Sequence, residues 1–131
     1  RKKYICRNQI KKGLSGTKDA IEFLKKKYSI ALMVDQRLGE SERYPFFNKS
    51  AHTTTLPAQL ALKYNCKIIP IYLERKEDGF FKMEILNPID IKKTNDVEKD
   101  KINITIKINQ IIESMIKRNP GQWIWTHGRW K

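Results

Sequence analysis

The chain has 131 residues, 27 Lys and Arg against 14 Asp and Glu, and a formal net charge of +13; 40% of it is apolar and 31% charged. That is one domain's length with enough apolar matter for a core, which excludes a disordered polar tail. Its apolar runs, such as Ile30–Val34, are far shorter than the roughly 20 residues a bilayer span needs, and the front carries no secretory leader pattern.

The chain opens RKKYIC without an initiator Met, so it is expected to be a piece of a longer protein. Residues 1–30 hold ten Lys and Arg against only Asp19 and Glu22, whereas residues 31–60 balance three against three. A positive excess of this kind favours acidic company: nucleic acid, an anionic membrane face or an acidic protein. The twenty Lys to seven Arg, with abundant Ile, also fit plain compositional bias. Cys6 and Cys66 have no CxxC spacing and no neighbouring His, which fits a reduced cytoplasmic setting with neither disulfide nor zinc.

TKDAIEFLKKK, residues 17–27, predicts a helix. Thr17 is placed to cap it, Ala20, Ile21, Phe23 and Leu24 form one apolar face, and three lysines sit at its negative end. SIALMVD then predicts a short strand covered on both faces. Residues 36–54 show no periodicity and predict a long loop, a feature that usually serves function. Thr55 is placed to cap a second helix, LPAQLALKYN, with Pro57 in its first turn and Asn65 as its stop. KIIPIYLE is a second apolar strand, so strand–loop–helix–strand predicts a βαβ unit with the two strands parallel. Asp78-Gly79 predicts a hairpin turn into FFKMEIL, where Phe81, Met83 and Ile85 alternate with polar partners. In residues 97–118 isoleucines alternate locally like a strand, but the longer window has helical spacing and Asn119-Pro120 gives a stop. The expected fold is therefore α/β: a three-layer-like sheet with a parallel βαβ core, an added hairpin strand and a long C-terminal helix, in a single domain over 1–131.

In parallel sheets, sites lie beyond the carboxyl ends of the strands. That puts Asp35, Gln36 and Arg37 after the first strand, and Glu74 and Arg75 after the second, on one side. Asp35 there orients a base, receives a hydroxyl, pairs with a cation such as Arg37, or simply caps the strand. Arg75 either binds an anionic group or forms a salt bridge. Neither His52 nor His127 has a carboxylate four or five positions on, and no nucleotide, metalloprotease or serine-hydrolase motif occurs. Residue chemistry alone gives no catalytic centre and no metal site.

MVDQRLGES, then YPFFNKSAHTTTLPAQLALKYNCKIIPIYLER, then IIESMIKRNPGQWIWTHGRWK resemble, in order, the carboxyl-terminal half of the lipid A biosynthesis lauroyl/myristoyl acyltransferases. The matching pieces are Asp35–Gln36, Phe46–Phe47, Thr53–Thr55, Leu60–Ala61, Pro70 with Arg75, and the tail Pro120–Lys131, which is the most specific. The departures are Asn48 for the usual Gly, and Gly121 and Gly128 for the usual Glu and Arg.

The resemblance implies an O-acyltransferase that moves a fatty acyl chain from acyl carrier protein to a hydroxyl of a phosphorylated lipid A precursor. It implies action at the cytoplasmic face of the bacterial inner membrane, an anionic surface, with no cofactor beyond the acyl-acyl carrier protein co-substrate. The family's His-x4-Asp/Glu pair and its membrane anchor are expected upstream of Arg1, so no catalytic residue is assigned here and the isolated chain is expected to be inactive.

Substrate-binding residues are expected at Asp35, Gln36, Arg37, Thr54, Arg75, His127 and Arg129. The three tail tryptophans suit an apolar–headgroup boundary, with His127 and Arg129 facing the acceptor; alternatively Trp123 and Trp125 lock the tail into the core. On the first reading Arg129→Ala lowers acceptor binding and leaves folding intact. Competing classes are a basic nucleic-acid-binding module, disfavoured by the absence of any such motif, and an inert scaffold fragment.

Overall fold

The computed structural model describes residues 3–4, 6–11, 13–37, 39 and 41–131, with Leu14 described by its backbone alone. Leu38 and Glu40 of the MVDQRLGES stretch lie outside the described residues. The chain divides into two compact units, Arg1–Leu32 and Met33–Lys131.

The first unit holds α1, Leu14–Lys25. The helix starts three residues before Thr17, with Gly13 at its cap in a left-handed conformation (φ 93°) that suits glycine. Thr17 does not cap; its hydroxyl donates back to the Gly13 carbonyl at 3.4 Å, as Thr does inside a first turn. Ala20 is buried, and the Phe23 and Tyr28 rings meet edge to face at 5.7 Å.

The second unit begins with an antiparallel hairpin, β1 (Arg43–Phe46) and β2 (Lys49–His52), in the register Tyr44↔Ala51 and Phe46↔Lys49. Part of the expected loop is therefore sheet. Its two-residue turn, Phe47-Asn48, has φ of 50° and 57°, the pair of left-handed residues a type I′ turn requires. Asn tolerates that region, which accounts for Asn48 standing where the resemblance has Gly.

Next comes α2, Leu56–Tyr64, with Pro57 in its first turn and Asn65 left-handed at its end, as its sequence predicts; Thr55 precedes it, but its side chain makes no capping hydrogen bond. β3 (Ile71–Arg75) and β4 (Phe81–Ile85) form a second antiparallel hairpin, in the register Ile71↔Ile85 and Leu73↔Met83. The long helix α3 spans Val97–Arg118 and buries Ile104, Ile108, Ile112 and Ile116 along one face. Four-residue spacing keeps these side chains in line, so the helical period prevails over the local alternation. Pro120, lacking an amide hydrogen, ends the helix, and two short 3-10 turns follow at Pro120–Gln122 and Trp125–His127.

The architecture is mixed α/β, but the expected parallel βαβ core is corrected. SIALMVD forms no strand, and both sheets are two-stranded and antiparallel. Pro70 restricts β3 to Ile71 onward, and the short Asp78-Gly79 connection makes β4 its pairing partner. Ala31, Leu32 and Met33 remain exposed, as do Ile71, Leu73, Phe81, Met83 and Ile85 on one face of the β3–β4 hairpin. The opposite face is used: the Arg118 guanidinium stacks 4.1 Å from the Tyr72 ring centroid and forks onto Glu84 at 2.7 and 3.2 Å. Those hydrogen bonds hold Glu84 below the usual carboxylate range.

The core of the second unit lies where α3 packs on α2 and on the β1–β2 hairpin, around Phe46, Ala51, Ala58 and the α3 isoleucines. At the start of α3, the Asp96 carboxylate accepts from the Lys99 amide at 2.9 Å, and buried Asp100 accepts from the Thr94 amide and hydroxyl at 2.6 and 2.9 Å. Asp96→Ala is expected to cost about 1 kcal/mol through loss of the cap, read as a lower urea midpoint at unchanged slope.

Candidate functional site

Polar positions within the buried stripe of α3 mark where the helix carries more than packing. Asn109 is fully buried beside Ile108 and Ile112, and its amide is satisfied on both sides. Its Nδ2 donates to the Pro45 carbonyl at 2.9 Å and to the Thr53 hydroxyl at 3.2 Å, while its Oδ1 accepts from Arg129 at 2.8 Å.

Arg129 is the centre of this network and has no exposed surface. Its Nη2 also donates to the Thr53 hydroxyl, its Nη1 to the Asp35 carbonyl and its Nε to the His52 carbonyl, each at 3.3 Å. Its guanidinium carbon lies 3.9 Å from the Phe46 ring centroid, so a cation–π contact covers one face. The Arg129 carbonyl in turn accepts from the His52 amide at 3.0 Å, extending the hairpin by one backbone bond. Burial pushes the guanidinium down to about 10, opposed by the Asp35 and Glu113 carboxylates. It remains a cation at neutral pH.

The tryptophans close the network from the other side. Trp123 Nε1–H donates to the Asp35 carboxylate at 3.2 Å, and Trp130 Nε1–H donates to the Phe46 carbonyl at 3.1 Å. The Phe46 ring packs against Trp123 and Trp130 at 5.8 and 5.6 Å between centroids. Trp123 and Trp130 join the core, whereas Trp125 stays about half exposed, so the tail is locked in by the first and last indoles.

Asp35, Thr53 and Arg129 are thus brought together, with Asp35 doubly used. Thr54 lies beside them, but its hydroxyl accepts from the Leu56 amide at 3.3 Å and helps start α2. With Ser41, Glu42, Thr53, Thr55 and Gln59 it lines a cleft of about 270 Å³. Gln36 and His127 are half-buried, and Arg37 is exposed. Arg75 is not brought to Asp35 by any contact among the described residues. Its backbone pairs instead with the Gln122 side chain, which accepts from the Arg75 amide at 3.0 Å and donates to the Arg75 carbonyl at 2.7 Å.

Sequence reasoning missed Asn109, Glu113 and Lys49. The signal for Asn109 was present: a polar residue within an isoleucine stripe has to find a buried partner. Glu113 accepts from the Phe47 amide at 2.7 Å and so supports the left-handed turn from α3. Beside that turn, Phe47, Lys49, Trp125 and Trp130 line a second cleft of about 300 Å³.

Among the described residues no helix is long and apolar enough to cross a membrane, and no group of three or more His, Cys, Asp or Glu is arranged to hold a metal ion. A search of curated proteins returned no match. The profile of the family described as bacterial lipid A biosynthesis acyltransferase matches residues 5–131, nearly the whole length. Of the pieces that carry the resemblance, Asp35, Phe46 and Thr53 meet around the guanidinium of Arg129 in the tail. The chain therefore belongs to the bacterial lipid A biosynthesis acyltransferase family.

Proposed function

We propose that this chain is the carboxyl-terminal portion of an O-acyltransferase that takes a fatty acyl chain from acyl carrier protein and places it on a hydroxyl of a phosphorylated glycolipid, a lipid A precursor. In this reading the acceptor oxygen forms an ester bond to the acyl carbon while the thioester C–S bond breaks. The hydroxyl proton passes to a His of an upstream His-x4-Asp/Glu pair and then to the departing thiolate, and backbone or cationic donors stabilise the oxyanion. The reaction needs no metal or redox cofactor.

The observation that carries the reading is the convergence on Arg129: residues dispersed over Asp35, His52, Thr53 and the tail are hydrogen-bonded into one unit. Gln36, Arg37, Thr54 and His127 are proposed to contact substrate, with Asp35 and Arg129 holding the wall beside them, and Arg75 is proposed to contact it from the β3–β4 hairpin. The +13 charge suits an acidic carrier protein, acceptor phosphates and the anionic cytoplasmic face of the inner membrane.

Reading the codons upstream of Arg1 and assaying the intact gene product with acyl-acyl carrier protein tests this. A His-x4-Asp/Glu pair, an apolar span and ester formation on the glycolipid are expected. An open reading frame starting near Arg1, or an intact product without transfer, overturns the reading.

A further inference from the structure

We propose that the cleft lined by Phe47, Lys49, Trp125 and Trp130 seats one phosphorylated sugar ring of the acceptor, with Lys49 meeting its phosphate. The inference rests on the glycolipid acceptor proposed above and names its headgroup subsite.

The cleft offers aromatic carbon faces and one cation, Lys49. The Trp125 and Trp130 rings are nearly parallel, 17° apart with centroids at 6.4 Å, and Phe47 leans toward Trp125 at 6.1 Å. Both indole N–H groups are already spent, Trp125 on the Pro120 carbonyl at 2.9 Å and Trp130 on the Phe46 carbonyl at 3.1 Å. What remains is negative π surface, which attracts the weakly positive C–H face of a pyranose. A bare acyl chain would also favour such carbon, but it has no use for cations. Lys49 lines the cleft, and the Lys117 ammonium stands 5.8 Å from the Phe47 ring centroid. Neither forms an ion pair among the described residues, and the nearby Glu113 carboxylate is engaged by the Phe47 amide.

Size and strain agree. A volume of about 300 Å³ is the small end of ligand clefts, suited to one ring. Phe47 holds a left-handed backbone conformation (φ 50°) that costs a bulky residue energy, and such strain collects at binding sites. A glycine would turn the hairpin more easily but would remove the ring that floors the cleft.

Calorimetric titration of the full chain with glucosamine 1-phosphate, glucosamine, inorganic phosphate and decanoate tests the proposal. Saturable binding of the sugar phosphate, tighter than of sugar or phosphate alone, is expected. Lys49→Gln should weaken it about tenfold, the loss of one charge-assisted hydrogen bond, and remove the preference over glucosamine. Trp125→Ala should abolish it without moving the thermal midpoint by more than a few degrees, since that indole is about half exposed. No binding, equal affinity for inorganic phosphate, competition by decanoate, or unchanged affinity in both variants overturns the subsite. Acyl transfer by the intact gene product separates the two ideas. Transfer retained by both variants sinks the subsite alone, and no transfer by the unsubstituted protein sinks the acyltransferase reading.

Discussion

Arg129→Ala is expected to destabilise the protein by about 3–5 kcal/mol, the cost of breaking a buried charged network from one side. Three acceptors lose their donor at once, the Asn109 amide oxygen and the carbonyls of Asp35 and His52, and the Thr53 hydroxyl keeps as acceptor only its bond from Asn109. Neither Thr53 nor Asn109 regains water readily, because both are buried. Phe46 also loses the cation that covers its face. Arg129→Lys should recover only part of the loss, since an ammonium cannot fork across four acceptors. With total stabilities of about 5–15 kcal/mol for a chain of this kind, the Ala variant should approach unfolding at physiological temperature. Urea denaturation followed by tryptophan fluorescence reads this directly. This expectation differs from the surface role the sequence suggests for Arg129, and the reason is burial: the side chain spends its donors inside.

Phe46→Ala is expected to cost a similar amount, about 3–5 kcal/mol, through a different mechanism. Phe46 is fully buried, and its ring touches Phe47, Trp123, Trp130 and the Arg129 guanidinium. Deleting it opens a cavity that the rigid indoles cannot fill and removes the cation's aromatic partner. Phe46→Leu, which keeps most of the volume, should lose markedly less. Near-ultraviolet circular dichroism separates the two mechanisms. The Ala variant should lose the tryptophan fine structure even below its unfolding midpoint, because three indoles take their orientation from that ring or from the residues beside it.

Helices were the most legible part of the fold, because their signals are local. Thr55, Pro57 and Asn65 bound α2, and Pro120 stops α3. The Asp78-Gly79 turn was equally plain. Sheet pairing was not legible, since it is decided between distant segments. Ile30–Val34 has a strand's composition but acquires no partner, while Tyr44–Phe46 lies in a stretch without visible period and pairs through a Phe-Asn turn that carries no glycine. The candidate site is legible only in part: the resemblance points to Asp35 and Arg129, but the sequence does not say that Arg129 points inward, and Thr53 rather than Thr54 joins its network. Asn109 lies in a helix whose pattern is dominated by its isoleucine spacing. Lys49 was masked because its neighbours in space, Trp125 and Trp130, lie far along the chain.

The central claim is that the tail and the long helix hold the hairpin through one shared network. A double-mutant cycle between Arg129→Ala and Asn109→Ala, measured by urea unfolding, reads it most directly. Coupling of at least about 1 kcal/mol is predicted, because each residue satisfies the other inside the protein. Additivity within about 0.3 kcal/mol would show that the two act independently and would contradict the account.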